Sequence, residues 1–150
     1  MFRGVAKLNL DSKGRLAVPA KHREALLDRG AGKLVVTADP SKCLLIYPQP
    51  EWEPIQDRLM SMPSFNARAR SLQRLLVGYA EDVEIDSAGR ILLSLPLREF
   101  AGLEKHVMLV GQGARFELWD EARWLADREA GLALQQSDEA LPPEMEGFSL

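Results

Sequence analysis

Two short stretches hold the residue types best suited to chemistry: Asp11-Ser12-Lys13-Gly14-Arg15 and Asp86-Ser87-Ala88-Gly89-Arg90. An aspartate accepts hydrogen bonds from backbone N–H groups two or three residues on and so fixes a turn. Gly14 and Gly89 can take the positive φ that such a turn asks for. Arg15 and Arg90, each four residues after the aspartate, offer a planar fork of donors that either returns to the carboxylate or projects toward an anionic partner. The first outcome is a local ion pair that only holds a hairpin, and exposed pairs of that kind are weak. The second is a rigid turn that presents cations to phosphates or base edges. The first copy adds Lys13 inside the turn, with Arg3, Lys7, Lys21 and Arg23 around it in sequence, which suits several phosphate contacts made together. The second copy has Ala88 in place of Lys13 and is flanked by Glu81, Asp82 and Glu84. If one copy dominates contact with DNA, it is expected to be the first.

Other chemistries find little support. Cys43 is the single cysteine, so no intramolecular disulfide and no cysteine-based metal site within one chain is expected. Its apolar setting, Cys43-Leu44-Leu45-Ile46-Tyr47, reads as core. His22 and His106 lack a neighbouring carboxylate at ligand spacing. There is no P-loop, no Gly-x-Ser-x-Gly and no histidine beside a nucleophile. Pseudo-symmetry could bring Asp11 and Asp86 together as a carboxylate pair, but each has its own arginine four residues on, which favours ionised structural carboxylates over general acids. We therefore expect no enzyme, no cofactor and no metal.

The elements that must position these turns emerge from an internal repeat. Shifted by 75 positions, the two Asp-Ser-x-Gly-Arg stretches coincide at four residues of five, and Arg23-Glu24 falls on Arg98-Glu99. Further on, a shift of 72 aligns Val35 with Val107, Leu44 with Phe116, Tyr47 with Trp119 and Trp52 with Trp124. The change of offset falls at Asp28-Arg29-Gly30-Ala31-Gly32, which reads as a loop. Each copy predicts an alternating strand (Val5 to Leu10, Val83 to Ile85), the turn, and a short strand (Leu16 to Val18, Ile91 to Leu93). A short helix near Pro19 or Pro96 follows. A second strand pair ends the copy, Leu34 to Thr37 with Cys43 to Tyr47, and His106 to Val110 with Arg115 to Trp119. Apolar residues at helical spacing predict helices over Glu51 to Met62 and Ser64 to Leu76, broken at Pro63, and a third over Asp120 to Leu134 with Asp120 as N-cap. Phe65, Leu72 and Leu76 exceed what a linker needs and suggest a subunit contact. Trp52, Trp119 and Trp124 read as packing residues rather than base-stacking ones.

Units of about 45 residues are marginal alone, so the two copies are expected to pack as one pseudo-symmetric β-rich body. The net charge is −3, but residues 1–29 carry seven basic side chains against three acidic, while from Glu117 onward nine acids face two arginines. The chain is thus polarised, with a basic head and an acidic tail that reads as frayed. No apolar run approaches the roughly 20 residues of a membrane span, and the N-terminus lacks a signal-peptide pattern, so a cytoplasmic protein is expected.

Met1-Phe2-Arg3-Gly4, the two Asp-Ser-x-Gly-Arg motifs, Leu45-Ile46-Tyr47-Pro48 with Glu51-Trp52, Arg74-Leu75-Leu76-Val77-Gly78 and Phe116-Glu117-Leu118-Trp119 together resemble the MraZ family, in register from Met1 to about Leu125. The resemblance implies an α+β fold: two tandem swapped-hairpin modules of the SpoVT-AbrB superfamily, an intrachain version of a swapped-hairpin dimer with peripheral helices. The modules would be residues 5–52 and 81–124, with a helical connector over 53–80 and a helix end and acidic tail over 125–150. It further implies a sequence-specific DNA-binding regulator, nucleoid-associated and usually a repressor, that binds direct repeats upstream of its own division and cell-wall operon. Family members form rings, commonly octamers or dodecamers. The arginine of Asp-x-x-x-Arg is the family's DNA-contacting residue and maps onto Arg15 and Arg90. Position 94 is Ser where the family often has proline, at the strand-to-helix junction after Arg90. On this reading Arg15 contacts a base edge, Lys13, Arg3 and Lys7 hold phosphates, and Asp11, Gly14, Asp86 and Gly89 form the turns. The rival reading is a ring-forming interaction scaffold whose basic turns pair with acidic surfaces of neighbouring subunits.

Overall fold

The central strands explain the architecture because both of their faces are apolar. In the computed structural model, which describes residues 1–63 and 65–150, β3 (Lys33–Ala38) and β4 (Leu44–Pro48) lie inside a six-stranded antiparallel sheet. Around them run β1 (Phe2–Asn9), β5 (Glu81–Glu84), β7 (His106–Gly113) and β8 (Phe116–Asp120), in the order β1-β7-β8-β4-β3-β5. Side chains alternate between two cores, as the two-residue period of a strand requires. Leu34, Val36, Leu44, Ile46, Val107, Leu109, Phe116 and Leu118 enter one cluster. Val35, Leu45, Tyr47, Val110 and Trp119 enter the other.

The first core is closed by a separate two-stranded ribbon, β2 (Arg15–Ala17) with β6 (Arg90–Leu92), and by α1 (Ala20–Gly30) and α4 (Leu95–Ala101). Leu16, Val18, Leu26, Ile91, Leu93 and Leu97 supply its lid. The second core lies under α2 (Gln49–Ser61), the π-helical turn Arg74–Gly78 that follows α3 (Ala67–Gln73), and α5 (Glu121–Gln135), through Trp52, Leu59, Leu76, Val77 and Trp124. The sheet is therefore covered on both faces, by the ribbon and short helices on one and by the longer helices on the other.

The strand pairing shows the swap. β1, from the first copy, pairs only with β7 of the second, and β5, from the second, pairs only with β3 of the first. Two further pairings between the copies are each their own image under the repeat: Arg15↔Leu92, Leu16↔Ile91, Ala17↔Arg90 in the ribbon, and Leu44↔Leu118, Leu45↔Glu117, Ile46↔Phe116 in the sheet. A pseudo-two-fold axis passes through Leu16/Ile91 and Leu45/Glu117. The tandem modules fold as one α+β body, as the repeat predicts.

Local differences have identifiable causes. The expected loop at Asp28–Gly32 shrinks to Ala31 and Gly32, because α1 continues to Gly30 and ends on two left-handed residues (φ 54° and 79°), with the Gly32 N–H donating to Leu26 O at 3.2 Å. The change of repeat offset thus appears as an extra turn on α1 relative to α4. The expected helix from Ser64 to Leu76 is shorter. Ser64 lies outside the described residues, and α3 begins at Ala67 because the Asn66 side chain caps it, accepting from Arg68 N at 2.8 Å and Ala69 N at 3.1 Å. The segment then widens into the π turn, where the buried Thr37 hydroxyl donates to Leu76 O at 2.6 Å. Asp120 caps α5 as expected, accepting from Arg123 N at 3.1 Å.

Candidate nucleic-acid interface

The two Asp-Ser-x-Gly-Arg turns share one design. Asp11 Oδ1 accepts from Lys13 N at 2.9 Å and from Arg15 N at 2.8 Å, while Oδ2 accepts from Arg15 Nε at 2.6 Å. Asp86 repeats this with Ala88 N and Arg90 N, both at 2.9 Å, and Arg90 Nε at 3.2 Å. The carboxylates are thus saturated by donors to the charged form. The Arg15 backbone N–H, with its side chain and Lys13 N, holds Asp11 at about 2 against the opposing effect of desolvation, which is second only to that N–H. The Asp86 carboxyl is lowered in the same way, chiefly by the Arg90 N–H.

This geometry reconciles the two outcomes left open by the spacing. The ion pair forms, but it uses only Nε. Among the described residues no hydrogen-bond partner occupies the terminal Nη1 and Nη2 of Arg15 or Arg90. Each aspartate therefore anchors the guanidinium by its side and leaves the end of the fork open, which suits bidentate recognition.

The ribbon decides where the forks stand. Leu16 and Ile91 are buried in the first core, so Arg15, Ala17, Arg90 and Leu92, on alternate positions, project from the opposite, outer face. Arg15 stands directly across from Leu92 and Arg90 across from Ala17, which makes the arginines diagonal neighbours, with Cα atoms roughly 7–8 Å apart. The turns themselves are clamped across the axis: Leu93 N donates to Gly14 O at 3.0 Å and Val18 N to Gly89 O at 2.9 Å. An exposed two-stranded ribbon with two braced arginines is a shape that fits a DNA groove.

The chain matches the model of the family described as "MraZ protein, putative antitoxin-like" twice, over residues 1–75 and 76–138. The chain belongs to the MraZ family. Similar proteins named "Transcriptional regulator MraZ" occur in Nitrosomonas europaea and Thiobacillus denitrificans, each 61% identical over 150 residues that span the whole of both chains. One from Halorhodospira halophila is 49% identical over 152 residues, again covering both chains completely. Ser94, which falls on Pro19 under the 75-residue shift, takes φ −66° and ψ 159°, close to the −54° and 139° of Pro19, and its hydroxyl bonds Glu81. The strand-to-helix junction after Arg90 is therefore the same as that after Arg15.

Not every cation predicted for the MraZ site stands beside Arg15. Lys13 does, exposed in the turn itself. Lys7 pairs with Glu121 Oε2 of α5 at 3.1 Å, and its register partner Met108 packs on the second core. Arg3, paired with Gln112 in the same alternation, shares that face. The sheet thus lies between these two residues and the ribbon. Arg23 and Arg98 lie by the turns instead, with Nε atoms that donate to Val18 O at 2.7 Å and Leu93 O at 3.1 Å. The signal for them was already present, since Arg23-Glu24 and Arg98-Glu99 repeat at the same offset as the turns. Cys43 is fully buried, with its thiol pushed up by burial. His22 is buried between Phe2 and Phe116, and burial lowers its pKa. Among the described residues no group of His, Cys, Asp and Glu could hold a metal, and no helix is long and apolar enough to cross a membrane.

Proposed function

We propose that this chain is a DNA-binding regulator of transcription, not an enzyme, and that the outer face of the β2–β6 ribbon is its reading surface. The observation that carries this is the pair of arginines on the outer face of the ribbon whose Nε atoms are tied to Asp11 and Asp86 while their terminal nitrogens have no hydrogen-bond partner among the described residues. Arg15 reads a base edge, guanine being the match for a bidentate fork, and Lys13 holds a phosphate. Arg90 makes the weaker, symmetry-related contact. Arg3 and Lys7 act on DNA only where it wraps past the β1 edge. The relatives' name, a transcriptional regulator, supports the class of function, and the charge layout supports the surface. α5, which carries Glu121, Asp127 and Glu129, packs on the sheet face opposite the ribbon.

The finer reading is a cytoplasmic, nucleoid-associated repressor that binds direct repeats upstream of its own division and cell-wall operon as a ring of eight or twelve chains. The connector supports assembly: Phe65, Met60 and Met62 stand 94%, 58% and 46% exposed. Leu72 is also exposed, whereas Leu76, expected beside it, packs into the second core. A ring lines up several ribbons, so weak single contacts gain by linkage. The test is Arg15→Ala measured two ways: binding to duplex from upstream of the protein's own gene, and size on a calibrated column. Lost binding with the assembly intact supports the proposal. Intact binding, or loss of the assembly itself, supports an interaction scaffold instead.

A further inference from the structure

We infer that Arg23 and Arg98 are positioning residues that act across the pseudo-two-fold axis, with Arg98 of the second copy setting the turn that carries Arg15 and Arg23 of the first copy setting the turn that carries Arg90. The inference rests on the reading of Arg15 and Arg90 as the DNA contacts. Each brace is a closed circuit through the backbone of one residue. Leu93 receives Arg98 Nε on its carbonyl at 3.1 Å and donates its N–H to Gly14 O at 3.0 Å. The guanidinium so anchored lies against Gly14 itself, where a Cβ would stand 2.5 Å from Arg98 Nε and 2.7 Å from its Cζ. The mirror circuit joins Arg23, the Val18 carbonyl at 2.7 Å, the Val18 N–H to Gly89 O at 2.9 Å, and the face of Gly89, where a Cβ would come closer still.

Glycine is thus required at both turns for two reasons. Its φ is +84° at Gly14 and +77° at Gly89, and its missing side chain is the space the opposite arginine occupies. A planar, delocalised group suits that narrow space, its Nε donating to a carbonyl while Nε and Cζ crowd the glycine. Lysine keeps the charge but has neither property. The consequence is that neither reading arginine is set by its own copy alone, so damage in one module is felt at the other module's contact.

The test is a set of double-mutant cycles on the full chain, with Arg98→Met, Arg98→Lys, Arg23→Met and Arg23→Lys made in wild type, Arg15→Ala and Arg90→Ala. Dissociation constants are read by anisotropy on a labelled duplex from upstream of the protein's own gene, and thermal unfolding confirms that each variant is folded. Arg98→Met is expected to weaken binding about tenfold in wild type and in Arg90→Ala, yet add almost nothing in Arg15→Ala. Arg23→Met should show the opposite pairing, and the lysine variants should not restore binding. Losses that pair within a copy, losses that add in full to both arginine variants, or rescue by lysine would each overturn the inference. Amide hydrogen exchange without DNA gives an independent check. Arg98→Met should speed exchange at the Lys13 and Arg15 N–H groups but not at Ala88 and Arg90, and equal exchange at both turns would also overturn it. If Arg15→Ala leaves DNA binding untouched while the crossed exchange pattern holds, the DNA reading has failed and the cross-bracing stands.

Discussion

An aspartate that spends both oxygens on one turn is a structural ion, and that fixes how Asp11 responds to pH. Its carboxyl is held at about 2 against an ordinary value of 3.8, because the folded turn donates to the charged form. A depressed folded pKa contributes stability that is complete above the unfolded value and is lost as pH falls through the folded one. The turn should therefore be indifferent to pH from 8 down to about 4 and loosen only from there toward 2. A carbon-detected carboxyl titration should give Asp11 a midpoint near 2, and an ordinary midpoint near 4 would show that the Arg15 anchor is absent in solution. At the same scale, Lys7 shows the limit of sequence neighbourhood. It lies four residues before Asp11 in sequence, yet it pairs with Glu121 on α5, and the sheet separates it from the ribbon.

Among the elements, the strands and the ribbon were legible because their periods are short and local. The two strands of the β2–β6 ribbon were implied by a repeated short strand after a repeated turn, and each is shifted by one residue in the structure; that they pair with each other across the copies was not in the local pattern. The π turn after α3 was not legible, since Arg74-Leu75-Leu76-Val77-Gly78 continues a helical pattern and only a side chain 39 positions away, Thr37, gives a reason for the widened turn. The same holds for the site: its anchors Asp11 and Asp86 followed from spacing, whereas the cross-axis braces depend on which glycine each arginine meets. Thr37→Val removes the hydroxyl with little change of shape and leaves the part-buried Leu76 carbonyl without that donor. It should destabilise the fold by about 1–3 kcal/mol, measured by chemical denaturation. A neutral result would mean that the π turn does not depend on that hydrogen bond.

At the scale of the whole molecule, the swap makes the two copies inseparable. The first copy's β3 is completed by β5 of the second, and the second copy's β7 by β1 of the first. A piece holding residues 1–75 would leave β3 without β5 and the first core without Ile91, Leu93, Leu97, Phe116 and Leu118. Each half produced alone should show no cooperative thermal transition, and the two produced together should recover one. A half that melts cooperatively as a monomer would contradict the swapped arrangement. The same body places its braced arginines on one face and the acid-bearing α5 on the other, so the proposed reading surface is a property of the assembled pair of copies. The central claim, that Arg15 on this ribbon reads DNA sequence, is tested most directly by one comparison. Wild type, Arg15→Ala and Arg90→Ala are titrated at fixed salt on the upstream duplex and on a shuffled duplex of equal composition. The preference for the upstream duplex should fall about 5- to 150-fold in Arg15→Ala and less in Arg90→Ala. An undiminished preference in Arg15→Ala would contradict the account.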